Sequence, residues 1–272
     1  MTLIPVLATL AYAAPNVSGD LDLGYRQMYN LQFDDAHKTF GECERLRPED
    51  PLGPVSNAAA YLFAEFDRLE ILQSEFFTRD EDFKRSKKLT PDPAIKQAFE
   101  RELEKADRLA GAALARSPED RNAMFATVLS VGLRSDYSAL IEKKYMTSLK
   151  AMKNGRMLAE KLLVLDPSYY DAYLAIGVEN YVLSLKPAPV RWLLQMGGAK
   201  ASRQEGLAKL KLTAEKGRYL RPFARLLLAV SALRDHDHAQ AAAILQDLSH
   251  QFPENRLYAE ELSRLRKKGA AN

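Results

Sequence analysis

The chain has 272 residues, with 39 Lys and Arg against 36 Asp and Glu, so its formal charge of +3 gives no whole-molecule field to draw in nucleic acid. Leu and Ala dominate while Val, Ile and Thr are sparse, a balance that favours helix throughout and leaves little from which to build a sheet. One cysteine, Cys43, rules out an internal disulfide, and the length is enough to bury a continuous core.

Residues 1–16 contain an apolar stretch that ends in Ala11-Tyr12-Ala13 ahead of Pro15. This small-x-small pattern predicts a secretory signal peptide cleaved near Ala13, and with it export to the periplasm or exterior of a bacterium. No Lys or Arg precedes the apolar run, so the alternative is an apolar N-terminal segment packed on the following helices of a cytoplasmic protein. The run is too short to span a bilayer.

From residue 17 onward the chain punctuates itself. Four times a small or apolar residue is followed four positions later by another and eight later by a proline: Ala36, Phe40, Pro48; Ala106, Ala110, Pro118; Gly155, Ala159, Pro167; Ala241, Leu245, Pro253. The prolines open similar turns, Pro48-Glu49-Asp50, Pro118-Glu119-Asp120, Pro167-Ser168-Tyr169 and Pro253-Glu254-Asn255. Such turns stop the second helix of a repeat and start the next unit. The period predicts helix pairs over 20–30 and 33–45, 56–72 and 94–116, 120–133 and 138–165, then 169–185 and 202–216. A fifth pair lies within 220–253, followed by a last helix over 257–268. Two insertions interrupt the pattern. A charged one near 73–93 carries Phe76, Phe77 and Phe83. Another near 186–201 holds Pro187 and Pro189, then an apolar piece over 190–196 closed by Gly197-Gly198.

These in-register matches, with Leu23-Gly24 ahead of Ala36 and Tyr173, Ile176 and Gly177 after Pro167, resemble a tetratricopeptide-repeat protein over about 17–268. Pro189 to Leu194, through Gly197-Gly198 to Gly206, Leu207 and Leu210, is also similar to a eukaryotic tetratricopeptide group related to a mitochondrial outer-membrane protein. The resemblance implies one all-α, right-handed solenoid of about five helix pairs with a C-terminal capping helix. It further implies that the first helix of each pair lines a concave groove. The groove positions fall on Tyr25, Met28 and Tyr29, Phe63 and Phe66, Phe125 and Leu129, and Val178 and Tyr181. Most are aromatic or aliphatic, and polar residues that clamp a peptide carboxylate in some relatives are absent there, Asn122 excepted. Three readings follow: these side chains are core, an insertion fills the groove, or the groove takes a protein, a hydrophobic peptide or an apolar small molecule.

The expected function is therefore a non-catalytic protein–protein interaction scaffold acting through that groove or the insertions. Trp192 and Leu193, with Arg191, Leu194 and Met196, form a compact apolar turn that suits a partner or a membrane interface. The competing class is an enzyme or metal-dependent protein using Asp235-His236-Asp237-His238, with His250 further on. Neighbouring residues of one turn point in different directions, so this cluster also reads as a polar inter-helix turn. No glycine-rich phosphate loop or dinucleotide fingerprint is present, and His37 has no catalytic motif around it, so neither a catalytic residue nor a cofactor is expected. Cys43, three residues after Phe40, falls where the repeat packs a small side chain. The basic runs at 84–88 and 264–268 read as solvated charge.

Overall fold

The structure, a computed structural model, describes residues 17–71, 89–196, 198 and 201–270. The signal-peptide segment and most of the first insertion, including Phe76, Phe77 and Phe83, lie outside them. Among the described residues there is no strand. Within the described residues twelve α-helices follow one another: α1 (Val17–Tyr29), α2 (Phe33–Leu46), α3 (Leu52–Arg68), α4 (Pro93–Arg116), α5 (Arg121–Asp136), α6 (Tyr145–Leu165), α7 (Tyr173–Ser184), α8 (Ala188–Met196), α9 (Arg203–Lys216), α10 (Arg221–Arg234), α11 (His238–Gln251) and α12 (Arg256–Ala270). Each packs on its neighbours in sequence order, the arrangement of an α-solenoid, except that α9 packs directly on α7 and leaves α8 outside the pair.

The four proline turns share one geometry, and the reason is local. Proline forces the residue before it out of the helical region. Arg47, Ser117, Asp166 and Phe252 accordingly end their helices at φ of −132°, −139°, −144° and −128°. The amide of each still closes the last helical turn, bonding Cys43, Ala113, Leu162 and Leu248 respectively. Three residues on, the amides of Asp50, Asp120, Tyr169 and Asn255 donate back to the cap carbonyl at 3.0–3.1 Å. Side chains then start the next unit. Asp50, Asp120 and Asn255 accept from the amides of Leu52, Ala123 and Leu257, as N-capping oxygens do.

The small residues bring each pair close. Ala36, Ala106, Gly155 and Ala241 are buried, as are Phe40, Ala110, Ala159 and Leu245 one turn later, and Cys43 packs with them. Gly206 lets two helix backbones come close: a Cβ there would lie 2.6 Å from the backbone nitrogen of Tyr181.

Three elements depart from the sequence expectation. Helix α3 begins at Leu52 and not at 56, because Pro54 stands in the first helical turn, where its missing N–H has no intrahelical partner to lose. Helix α5 runs on to Asp136 and passes into a π-turn, Tyr137–Ile141, whose wider winding keeps both Tyr137 and Ile141 buried. The Tyr137 ring stacks on Phe99 with centroids 5.2 Å apart, and the chain reverses at Lys143, φ 59°, so α6 starts at Tyr145 and not near 138. Helix α8 is a regular helix although two prolines introduce it. Pro187 precedes it and Pro189 occupies its first turn, so they end α7 without blocking α8.

The solenoid winds tightly enough for its first repeat to meet its last two. Tyr25 stacks on Tyr219 at 4.9 Å, and Tyr29 meets Phe252 at 5.6 Å. The Tyr29 hydroxyl donates to the Tyr219 carbonyl at 3.1 Å, and the Asn255 amide donates to the Tyr29 carbonyl at 2.8 Å. Phe63 meets Phe223 at 5.6 Å, and Arg256 pairs with Asp67. The loop that carries Tyr219 is held by the buried Asp171 carboxylate, which accepts from the amides of Arg218, Tyr219 and Leu220 at 3.0–3.2 Å. Burial raises the Asp171 pKa, and those three amide bonds oppose the rise.

Three predictions follow from this packing. Phe66 and Phe125 are buried, so Phe66→Ala and Phe125→Ala should each lose about 3–5 kcal/mol in denaturant melts. Asp171→Ala orphans three amides, those of the buried Tyr219 and Leu220 among them, and should cost about 3–5 kcal/mol, whereas Asp22→Ala removes only an exposed pair with Arg218 and should cost less than about 1 kcal/mol. Asp136, half-buried, has no side-chain partner among the described residues, and burial pushes its carboxyl up to about 7. Its folded pKa is raised, so the native state keeps a proton that the unfolded chain releases near pH 4, and stability falls as pH rises from about 4 to 7. Asp136→Asn should therefore exceed the wild type in melting temperature at pH 8 and lose that advantage at pH 4.

Candidate functional site

The groove expected from the resemblance is closed among the described residues. Tyr25, Tyr29, Phe66, Phe125 and Tyr181 are buried, and Phe63 and Val178 are half-buried. For Tyr25, Tyr29 and Phe63 ring closure is the cause, because inner-face aromatics from both ends of the solenoid occupy one another's space, whereas Phe125 packs on Tyr169 at 4.8 Å. Tyr25, Tyr29, Phe63 and Phe66 belong to a core continuous with Tyr219, Phe252 and Tyr258. Between Met28, Tyr29, Phe63, Phe223 and Tyr258 lies a cavity of about 30 Å³. That is room for about one water and not for a peptide or an organic ligand. Asn122 is exposed and accepts from the Tyr169 hydroxyl at 3.4 Å.

The apolar surface lies instead on α8. Trp192 is 64% exposed, Met196 68% and Val190 45%, and the side chain of Leu193 lies outside the described residues. Trp192 and Met196, four residues apart, share one face of the helix, and a contiguous exposed apolar patch marks an interaction site. The local sequence explains the display. Because α9 packs on α7 backbone-close at Gly206, α8 is excluded from the helix pair and looped outward.

Both ends of the excursion are tied. At the start, the Arg191 guanidinium donates to the Ser184 carbonyl at 3.2 Å. At the end, Arg156 donates to the Gly198 carbonyl at 3.1 Å, and Gly198 turns the chain at φ 80°. The Ser202 amide, just beyond, donates to the Asn180 side chain at 3.2 Å. Arg156 is itself buried, pairing with the buried Glu179 and, at 2.7 Å, with Glu160. Burial raises the Glu179 pKa, and Arg156 opposes that rise. A buried ion pair of this kind fixes position more than it stabilises, which suits an anchor for a surface element. Sequence reasoning singled out Trp192 and Leu193 but missed the anchor. Arg156 follows Gly155 in a repeat helix, and nothing adjacent marks it as buried.

The Asp235 to His238 segment is a turn between α10 and α11. Asp235 pairs with Arg203, and Asp237 caps α11 by accepting from the Gln240 amide at 2.9 Å. His236 sits at φ 60°, and the His236 and His238 rings lie 6.4 Å apart. Both carboxylates are thus engaged in structural contacts. Among the described residues no group of three or more His, Cys, Asp or Glu is placed to share a metal ion. No described helix is long and apolar enough to cross a membrane.

No protein-family model matches the chain, and no curated protein matches it either.

Proposed function

We propose that this chain is a non-catalytic interaction scaffold, a helical ring built to hold α8 outward as its docking element. The observation that carries this reading is the pairing of a closed inner face with an anchored helix whose Trp192 is 64% exposed. A scaffold binding through its concave face would leave those aromatics accessible. Here they are spent on closing the ring, and the apolar surface available to a partner is on α8. The repeats themselves are best taken as tetratricopeptide-type, wound right-handedly. Four turns of one geometry and the buried small residues at fixed spacing support that reading.

The test uses the full chain in extract of its own host. Wild-type protein should sediment faster than a free 30.5 kDa chain, and the Trp192→Glu, Met196→Glu double variant should run as free chain while melting at the wild-type temperature. Identical sedimentation of the two would end the reading. An exposed side chain contributes little to the fold, so the substitutions separate docking from stability.

A further inference from the structure

We propose that the partner of α8 is the anionic surface of a lipid bilayer, with Trp192 and Met196, which lie one turn apart on one face of the helix, dipping into the interface while nearby basic side chains meet the headgroups. This rests on the reading of α8 as a docking element and names its occupant.

Three observations carry it. The first is area. A stable protein interface buries about 800 Å² on each partner, which a nine-residue helix with three exposed apolar side chains cannot supply alone. An interfacial helix needs no shape-matched partner, because lipid flows around whatever apolar groups enter.

The second is charge. From Asn180 to Gln204 the chain carries Lys186, Arg191, Lys200 and Arg203 and no Asp or Glu. From Lys143 to Ala159 it carries Lys150 and Lys153 among others, again without an acid, while Lys144 is taken up by Glu142 at 2.9 Å. The two acid-free stretches meet in space where Arg156 bonds Gly198, with the Lys153 ammonium beside the same glycine. The chain as a whole is nearly neutral; with Arg156 balanced by Glu160 and Glu179 and Arg203 by Asp235, the positive charge beside the exposed helix comes from Lys186 and Arg191, with Lys153 close by. Each Lys or Arg near an anionic leaflet strengthens binding roughly fivefold. A single short apolar insertion is marginal, and the combination of apolar and basic elements makes attachment stable.

The third is presentation. The bonds at Ser184 and Gly198 and the buried pair of Arg156 and Glu179 hold both ends of α8, so the apolar residues are offered in advance without an ordering cost on contact.

Trp192 is the sole tryptophan of the chain, so its fluorescence reports on the proposed contact alone. The full chain is mixed with vesicles of phosphatidylcholine, or of phosphatidylcholine with phosphatidylglycerol. With the anionic vesicles the Trp192 emission should shift to the blue and be quenched by brominated acyl chains. Raising salt from about 0.1 to 1 M should weaken the effect as the screening length shortens. Met196→Glu should remove the shift, and Trp192→Glu should lower vesicle co-flotation on the order of tenfold, both variants keeping the wild-type melting temperature. Unchanged emission with anionic vesicles overturns the proposal, as does co-flotation that persists in both variants. If vesicles fail to bind while the sedimentation of wild type in extract still depends on Trp192 and Met196, the occupant is a protein: the lipid inference falls and the docking reading stands. If neither assay responds to the two residues, both fall.

Discussion

Closure of the ring depends on Asp171. Its carboxylate takes up three consecutive amides at 218–220 and so sets the loop that offers the Tyr219 ring to Tyr25 and the Tyr219 carbonyl to the Tyr29 hydroxyl. Burying a carboxyl is unfavourable unless its lone pairs are satisfied, and the three amides satisfy them. Without this site the loop amides would turn to water, and the inner faces of the first and last repeats would stand as two exposed aromatic surfaces. One polar contact made in the fourth repeat thus supports the closed core at Tyr25, beside the direct contacts of Tyr29 with Phe252 and Asn255. The aromatic ring in turn shifts the Tyr219 hydroxyl: burial pushes its pKa up to about 12.

Much of the architecture was legible because its causes are local. A proline acts on the residue before it and a small side chain acts on the helix across from it, so the four turns and the five helix pairs could be placed from spacing alone. The failures were also physical. The Leu52 start of α3 was hidden because Pro51 to Pro54 reads as a turn, although a proline in a first helical turn is harmless. The π-turn after Asp136 depends on Tyr137 finding Phe99, a contact with no signature nearby in the chain.

The candidate site was legible only in part, and for a related reason. Inner-face aromatics at the expected positions were recognisable, but whether they line an open groove or fill it is decided by superhelix pitch. Pitch accumulates from small rotations at each helix contact, and at Gly206 the missing Cβ lets one such contact be made backbone to backbone. The meeting of Tyr25 with Tyr219 spans nearly the whole array, where sequence pattern has no reach. Trp192 and Leu193 drew notice by composition, whereas the outward placement of α8 comes from the direct packing of α9 on α7.

A linear solenoid behaves as a one-dimensional chain of units in which the end units have one neighbour and fray first. Contacts between Tyr29 and Asn255, and between Asp67 and Arg256, give the terminal units a second neighbour. The array then has the energetics of a chain with periodic ends. No unit can open without breaking two interfaces, the loop-closure entropy of joining distant segments falls on a single event, and unfolding loses its partly frayed intermediates in favour of one cooperative step.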